Sequence, residues 1–171
     1  MQLAVGLGPS LYLWNGETGE VSMFQDFDPT DITAVRWDSS GTHVALGMAD
    51  NTVLMFNVAR QKQVRILRGH THRVTALAWN GPGLSSAGGS DFIMGSDVRV
   101  KEHCKDKLKL HDKEVCGLAW NAEGDQMASG GADNIVGLWD ARCEAVCVQS
   151  KVSSLVAKSD VLPQVRAIIL R

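Results

Sequence analysis

The sequence has no apolar run long enough to cross a bilayer, which takes about 20 consecutive apolar residues. It also lacks a signal peptide, because the segment 1–14 has no basic leading residues and Gly and Pro interrupt its apolar run. Neither sign of charge is in excess, since 17 Lys and Arg stand against 19 Asp and Glu, a net charge of −2. No long-range field draws the chain to nucleic acid or to a membrane surface, so its partners are expected to be proteins or peptides.

Cysteine is scarce, and the residues present form neither a Cys-x-x-Cys pair nor a dense disulfide framework: Cys104, Cys116, Cys143 and Cys147. This usage is typical of a reducing intracellular compartment. Cys116 lies in an alternating apolar run, which predicts a small buried hydrophobe. No metal or other cofactor is expected. With 44% apolar and 21% charged residues, the composition is that of a soluble globular protein rather than a disordered one.

Tryptophan recurs at a nearly fixed interval. Trp37, Trp79 and Trp120 stand 42 and 41 positions apart, and each closes a short alternating apolar run. A second series runs in phase with the first: Trp14-Asn15, Phe56-Asn57, Ser96-Asp97 and Trp139-Asp140. A period of about 40 to 45 residues that ends in Trp-Asp is typical of a WD-repeat β-propeller, with four strands in each blade.

The period divides the chain into about four blades. We predict a partial blade over 1–30, complete blades over about 31–67, 68–110 and 111–149, and a tail over 150–171 without the repeat pattern. The partial blade leaves no room for the strand that should precede it. The predicted fold is therefore an all-β arc of one partial and three complete blades, part of a seven-bladed ring, because rings of four blades are unusual among WD-repeat proteins.

The last repeat has the most complete polar pattern. His111, Ser129, Asp133 and Trp139 have the spacing of the WD-repeat polar tetrad, in which the four side chains bond in series across the strands. Such buried polar groups are tolerated when each one finds a partner. The alternative is that three of them, His, Ser and Asp, form a hydrolase triad, although no nucleophile-elbow sequence accompanies them. In the third repeat Ser96 replaces the Trp, so its polar chain is predicted to be broken.

Several segments go beyond a generic WD repeat: Leu84-Ser85-Ser86, Asp97-Val98-Arg99-Val100, Glu114-Val115-Cys116-Gly117-Leu118 and Ala128-Ser129-Gly130-Gly131. Together with the opening run 3–14, they closely resemble the Fizzy and Fizzy-related family, co-activators of the anaphase-promoting complex. The resemblance covers roughly residues 3–142. It implies a non-catalytic adaptor that binds short degron motifs, with subunits of that ubiquitin ligase, degron-bearing substrates and checkpoint regulators as partners, in the cytoplasm and nucleus.

The resemblance also implies two binding regions. A degron motif would be read by the loop 130–134, in which Asn134 matches the family and Ala132 stands where the family usually has Asn. Alternatively, Asn134 is a turn residue chosen for its backbone tolerance. A regulator motif would bind between the second and third blades, where His72 and Arg73 supply positive charge, together with three lysines on one strand: Lys105, Lys107 and Lys109. Alternatively, these lysines are the solvated outer face of an edge strand.

Two other functions remain open from the sequence. The chain is either a general WD-repeat scaffold for protein interactions, without a ligase, or a truncated fragment that does not activate one. Stable partners that exclude ligase subunits would favour the scaffold. Broad, non-cooperative unfolding would favour the fragment.

Overall fold

The chain folds into antiparallel sheets that stack one behind another. The structure, a computed structural model, describes residues 1–90, 92–141 and 145–151, and the predicted tail beyond 151 lies outside them. Sheet 1 contains β1 (Gln2–Leu7), β2 (Ser10–Asn15) and β3 (Val21–Asp26). Sheet 2 contains β4 (Ile32–Trp37), β5 (His43–Met48), β6 (Val53–Asn57) and β7 (Lys62–Leu67).

The second half of the chain repeats the four-stranded pattern. Sheet 3 contains β8 (Val74–Asn80), β9 (Gly83–Gly88), β10 (Phe92–Asp97) and β11 (Cys104–Lys109). Sheet 4 contains β12 (Val115–Trp120), β13 (Gln126–Gly131), β14 (Ile135–Asp140) and β15 (Ala145–Lys151). Within each sheet the strands pair in sequence order, as hairpins do. The predicted all-β arrangement of one partial and three complete sheets is confirmed.

Strand register shows which positions are equivalent between sheets. The recurring tryptophans lie at or one residue before the ends of the first strands of sheets 2 to 4, where they pair with Val44, Leu84 and Met127. Those partners pair in turn with the third-strand residues Phe56, Ser96 and Trp139. In sheet 1 the residue that pairs with Trp14 is Leu3, which lies on β1. The strands β1, β2 and β3 therefore correspond to the second, third and fourth strands of the other sheets.

The core lies between consecutive sheets rather than inside any one of them. Buried apolar side chains form one cluster at each junction: Leu11, Leu46 and Phe56 between sheets 1 and 2, Leu67, Val74 and Leu84 between sheets 2 and 3, and Ile93, Val115 and Met127 between sheets 3 and 4. Each sheet alone has two faces and no interior. Its stability therefore depends on its neighbours, as in other repeat proteins.

Polar side chains on the first strands link the sheets further. The hydroxyl of Thr33 donates to the carbonyl of Val74, and the hydroxyl of Thr75 donates to the carbonyl of Val115 at 2.8 Å. Cys116 occupies the equivalent place on β12, but its side chain is exposed. The predicted burial of Cys116 is therefore wrong: the thiol lies at the surface, 3.5 Å from the carbonyl oxygen of Glu114.

Two further observations concern the ends of the elements. β15 runs to Lys151, past the predicted end of the fourth blade at 149, and pairs with β14 as far as Ile135. Backbone pairing of this kind needs no WD pattern in the added strand. In the part of the chain that the structure describes, no helix has the length and apolar character that a membrane crossing requires.

Candidate functional site

The predicted tetrad residues are joined in one hydrogen-bonded chain across sheet 4. The indole N–H of Trp139 donates to Ser129 Oγ at 2.9 Å, and Ser129 Oγ lies 2.8 Å from His111 Nε2. At the other side of the ring, His111 Nδ1 lies 3.0 Å from Asp133 Oδ2. All four side chains are nearly inaccessible to solvent.

The chemistry of these groups fixes the direction of the bonds. A carboxylate only accepts, so Nδ1 of a neutral His111 carries the proton and donates to Asp133. Nε2 then accepts from the Ser129 hydroxyl, whose oxygen in turn accepts from Trp139. Every polar atom in this chain has a partner, which is the condition under which a buried network stabilises a fold.

The same distances are those of a hydrolase triad, so burial must separate the two interpretations. Ser129 is 2% exposed and His111 is 1% exposed. A substrate carbonyl would have to reach Ser129 Oγ, and the oxygen is enclosed between sheets 3 and 4 with its lone pair occupied by an indole N–H. The arrangement therefore holds the sheet together and offers no nucleophile.

Asp133 also organises the turn between β13 and β14. Besides the imidazole, its carboxylate accepts the backbone N–H groups of Asp112 and Ile135, both at 3.0 Å. Burial opposes ionisation, but the hydrogen bonds from Ile135, His111 and Asp112 outweigh it and lower the pKa of Asp133 below its usual value. The turn is thus tied to both the entry loop and the buried tetrad.

Gly131 leaves the space that this arrangement needs. A Cβ at this position would lie 2.5 Å from His111 Nδ1 and 2.6 Å from Asp133 Oδ1. Any side chain there would separate the imidazole from the carboxylate. The requirement for glycine in the loop 130–134 therefore follows from the tetrad, independently of any ligand.

The turn presents both predicted degron-loop residues to solvent. Ala132 and Asn134 are exposed, and the Ala132 N–H donates to the carbonyl of Glu114 at 2.8 Å. Asn134 has a φ of 63°, in the left-handed region that Asn tolerates better than most residues. Asn51 holds the equivalent place in sheet 2 with a φ of 72°. The backbone conformation thus accounts for Asn at this position.

Sheet 3 contains half of a tetrad. His70 Nε2 lies 2.8 Å from Ser86 Oγ, but Ser90 stands where sheet 4 has Asp133. His70 Nδ1 is buried and finds no hydrogen-bond partner among the described residues. Its ring instead stacks on Phe92 with 5.4 Å between centroids. Burial, and secondly the charge of Lys107, lower the pKa of His70 to about 4.

From the sequence, the break in this polar chain was predicted at Ser96 alone. Ser90 is a second break, and its spacing from Gly88 indicates it. Ser90 follows Gly88 by two residues, as Asp133 follows Gly131, and the two glycines have equivalent partners on the first strands of their sheets.

The residues predicted for the regulator groove can be compared with a cleft that the structure shows between sheets 2 and 3. A cleft of about 250 Å³ separates sheets 2 and 3, and the side chains that line it include Met55, Arg65, Trp79 and Val98. Neither His72 nor Arg73 is among its lining residues. Their place in the chain, just before β8, puts them at the opposite end of the sheet from the cleft, which lies beside the turn 81–82.

Arg73 has a different role, because it joins sheet 3 to sheet 4. Its guanidinium makes two bonds to the carboxylate of Glu114, at 2.9 and 3.0 Å. This bond lowers the pKa of Glu114. His72 is exposed, and its Nδ1 lies 3.0 Å from the hydroxyl of Thr71. Of the residues assigned to the groove, Arg73 thus has its charge paired at the junction between sheets 3 and 4.

The predicted lysine strand alternates as an edge strand does. On β11, Lys107 and Lys109 are exposed whereas Leu108 is half-buried, and the ammonium of Lys107 lies 4.8 Å from the Phe92 ring centroid. The side chain of Lys105 lies outside the described residues. In the part of the chain that the structure describes, no three His, Cys, Asp or Glu side chains are grouped so that they could hold a metal ion.

Comparison with known proteins identifies the family of this chain. The model of the WD domain, G-beta repeat, matches residues 102–140, and that of the anaphase-promoting complex subunit 4 WD40 domain matches residues 13–81. Meiotic fizzy-related protein 1 of Schizosaccharomyces pombe is 41% identical over 141 residues, which are 82% of this chain and 34% of that protein. The chain belongs to the Fizzy and Fizzy-related family.

Other relatives agree. Anaphase-promoting complex subunit cdc20 of Dictyostelium discoideum is 43% identical over 144 residues, 83% of this chain and 29% of that protein. Protein FIZZY-RELATED 1 of Arabidopsis thaliana is 40% identical over 139 residues, 81% of this chain and 29% of that protein. The family member described here thus spans only about a third of the length of these relatives.

A solved structure shows the same fold. A chain in the crystal structure of the mitotic checkpoint complex superposes with a TM-score of 0.84 at 38% sequence identity, over 86% of this chain and 47% of that one. The WD-repeat propeller fold is confirmed. The seven-bladed ring and the blade boundaries stay predictions.

Proposed function

We propose that this chain is part of a substrate-recognition adaptor and activator of the anaphase-promoting complex ubiquitin ligase, which binds short degron motifs of cell-cycle proteins. Family membership supports the link to the ligase, because two relatives at 43% and 42% identity are named as anaphase-promoting complex subunits. The adaptor makes and breaks no bonds itself. Ligase subunits, degron-bearing substrates and checkpoint regulators are its partners, and the cytoplasm and nucleus are its compartments.

The observation that carries degron binding is the exposed turn of sheet 4. Asn134 offers an amide that can both donate and accept, and the turn is held by the Asp133 bonds to Asp112 and Ile135. A rigid turn loses little entropy when it binds a peptide. Ala132 adds no polar group, so a peptide group placed against it stays unmatched and binding is weakened, by about 1–3 kcal/mol if the site is dry.

The family resemblance implies that the degron read by this loop is a Lys-Glu-Asn motif. The test therefore uses a labelled peptide that contains this motif, with a scrambled peptide as control, in fluorescence anisotropy. Asn134→Gly keeps the left-handed backbone but removes the amide, so it should leave the thermal midpoint unchanged and weaken binding. Ala132→Asn restores the polar group and should strengthen binding about 5- to 150-fold. A folded wild-type chain that fails to bind at ~1 mM peptide, or an Asn134→Gly variant with unchanged affinity, would contradict the proposal.

The cleft between sheets 2 and 3 is the proposed site for an extended hydrophobic and acidic regulator motif. Met55, Trp79 and Val98 supply apolar contact and Arg65 supplies positive charge. Asp38 also lines the cleft, and its carboxylate lies 3.3 Å from His43 Nδ1. Arg65→Glu should abolish binding of such a peptide without affecting the Lys-Glu-Asn peptide. Equal affinity in the variant would remove this cleft from the proposal. Microscopy of a tagged chain tests its compartments.

A further inference from the structure

A second cleft lies between sheets 3 and 4. Its volume is about 270 Å³, and Ser85, Gly95, Asp106 and Trp120 are among the residues that line it. A site that takes a whole small molecule usually has roughly 300–1,000 Å³. The volume here suits one long side chain and the adjoining backbone of a peptide.

Strand register shows that this cleft repeats the one between sheets 2 and 3. On sheet 3, Ser85 pairs with Gly95, and Gly95 pairs with Asp106. Cross-strand partners lie on the same face of a sheet, and this face meets sheet 4, because the indole N–H of Trp120 donates to Ser85 Oγ at 3.2 Å.

On sheet 2 the equivalent row is Ala45, Met55 and Arg65. This row faces Trp79, whose indole N–H donates to the carbonyl of Arg36 at 3.3 Å. The two clefts therefore have the same frame of backbone and tryptophan. They differ in the side chains that form their floors.

Two differences give the second cleft its own chemistry. Gly95 stands where the first cleft has Met55, so the floor is open. Asp106 stands where the first cleft has Arg65, so the charge is reversed. The Asp106 carboxylate covers the space above Gly95, with Oδ2 3.6 Å from the place of a Cβ.

Charge in the second cleft comes from few groups. Asp97 also lines it, but Arg99 covers that carboxylate with two bonds, the shorter at 2.8 Å. Lys107 follows Asp106 on β11 and lies over Phe92, on the other face of the strand. Among the described residues, no cation lies within ion-pair distance of Asp106.

We infer that this cleft binds an Arg or Lys side chain from an extended peptide segment of a partner protein. The apolar stem lies against the half-buried ring of Trp120, and the cation meets the Asp106 carboxylate. Both contacts favour a cation: the face of an indole ring carries negative charge density, and a carboxylate forms charge-assisted hydrogen bonds with guanidinium or ammonium groups. An acidic segment is repelled here and accepted in the cleft that contains Arg65, so the two sites discriminate between peptides of opposite charge.

The experiment follows the indole N–H signals of the protein by NMR, with Trp120→Phe to assign the signal of interest. The probes are two peptides with blocked termini, Gly-Ser-Leu-Arg-Leu-Ser-Gly and its twin with Glu in place of Arg. We expect the Arg peptide to shift the Trp120 signal saturably and the Glu peptide to leave it unmoved. Asp106→Asn should weaken binding of the Arg peptide about five- to tenfold. Asp106→Arg should make the protein prefer the Glu peptide over the Arg peptide.

Controls separate this site from the others. Arg65→Asp alters the equivalent position in the other cleft and should leave Arg-peptide binding at Trp120 unchanged. Asp106→Asn should leave binding of the Lys-Glu-Asn peptide unchanged, so failure of one proposal does not affect the other. The inference is overturned if the Trp120 signal does not respond to ~10 mM Arg peptide, or if a folded Asp106→Asn variant binds with wild-type affinity.

Discussion

Replacing Ser90 with Asp should complete in sheet 3 the buried chain that sheet 4 already contains. Ser90 and Asp133 occupy equivalent places, two residues after the glycine that pairs with the first residue of the sheet. His70 Nε2 already bonds to Ser86, whereas Nδ1 is buried and has no hydrogen-bond partner among the residues that the structure describes. The substituted carboxylate would accept the Nδ1 proton.

The donors for the new carboxylate are already in place. The N–H of Thr71 donates to Ser90 Oγ at 3.3 Å, in the position from which Asp112 donates to Asp133 at 3.0 Å. An unsatisfied buried donor costs about 1–3 kcal/mol, and desolvation of the new carboxylate offsets part of the gain. We therefore expect Ser90→Asp to raise the free energy of unfolding at pH 7 by about 1–2 kcal/mol.

The new anion should also change the titration of His70. Its pKa is now about 4, because burial and Lys107 disfavour the imidazolium. A carboxylate within hydrogen-bond distance favours the imidazolium, so the pKa should rise. Urea unfolding measures the stability, and NMR of the imidazole signals measures the titration midpoint.

Matched variants make the reasoning refutable. Ser90→Asn offers an uncharged acceptor and should stabilise the sheet, but it should raise the pKa of His70 less than Ser90→Asp does. Ser90→Asp combined with His70→Gln should lose the gain in stability. If Ser90→Asp folds but lowers the free energy of unfolding by more than ~1 kcal/mol, or leaves the His70 midpoint unmoved, the equivalence between the sheets is refuted.

Three other predictions concern packing, pH and thiol reactivity. A Cβ on Gly137 would clash with Leu110 and lie 2.8 Å from Ser129 Oγ, so Gly137→Ala should lower the free energy of unfolding in urea by about 1–3 kcal/mol. Gly130→Ala is the control, because the space around Gly130 is open. Equal effects of the two substitutions would contradict the tetrad packing. The pKa of His70 is lowered from 6.5 to about 4, so its contribution to stability is full above pH 6.5 and falls as the pH drops toward 4, by at most about 3 kcal/mol. If the stability of a His70→Gln variant had the same pH profile as that of the wild type, this assignment to His70 would be contradicted. The exposed thiol of Cys116 should react with a thiol reagent in the native protein, and Cys116→Ser should remove one reactive thiol. If the number of thiols that react in the folded protein is the same in this variant, the Cys116 thiol is inaccessible.

The sequence alone determined the repeat and much of the tetrad. Trp37, Trp79 and Trp120 mark equivalent places near the ends of the first strands because each closes a short alternating run, and this alternation follows from the two faces of a single strand. The relation between His111 and Ser129 was likewise visible, since the spacing of a repeat fixes which of its residues share a face. Local periodicity carries this information without reference to any other sheet.

Only the tertiary structure decided what happens between sheets. Arg73 pairs with Glu114 across the junction between sheets 3 and 4, and Cys116 is exposed although its run alternates like its buried neighbours. The contrast between Arg65 and Asp106 appears only after register aligns the fourth strands of sheets 2 and 3. These contacts join residues about 40 positions apart, and the stacking of one sheet on the next determines them, whereas the periodicity within a repeat does not.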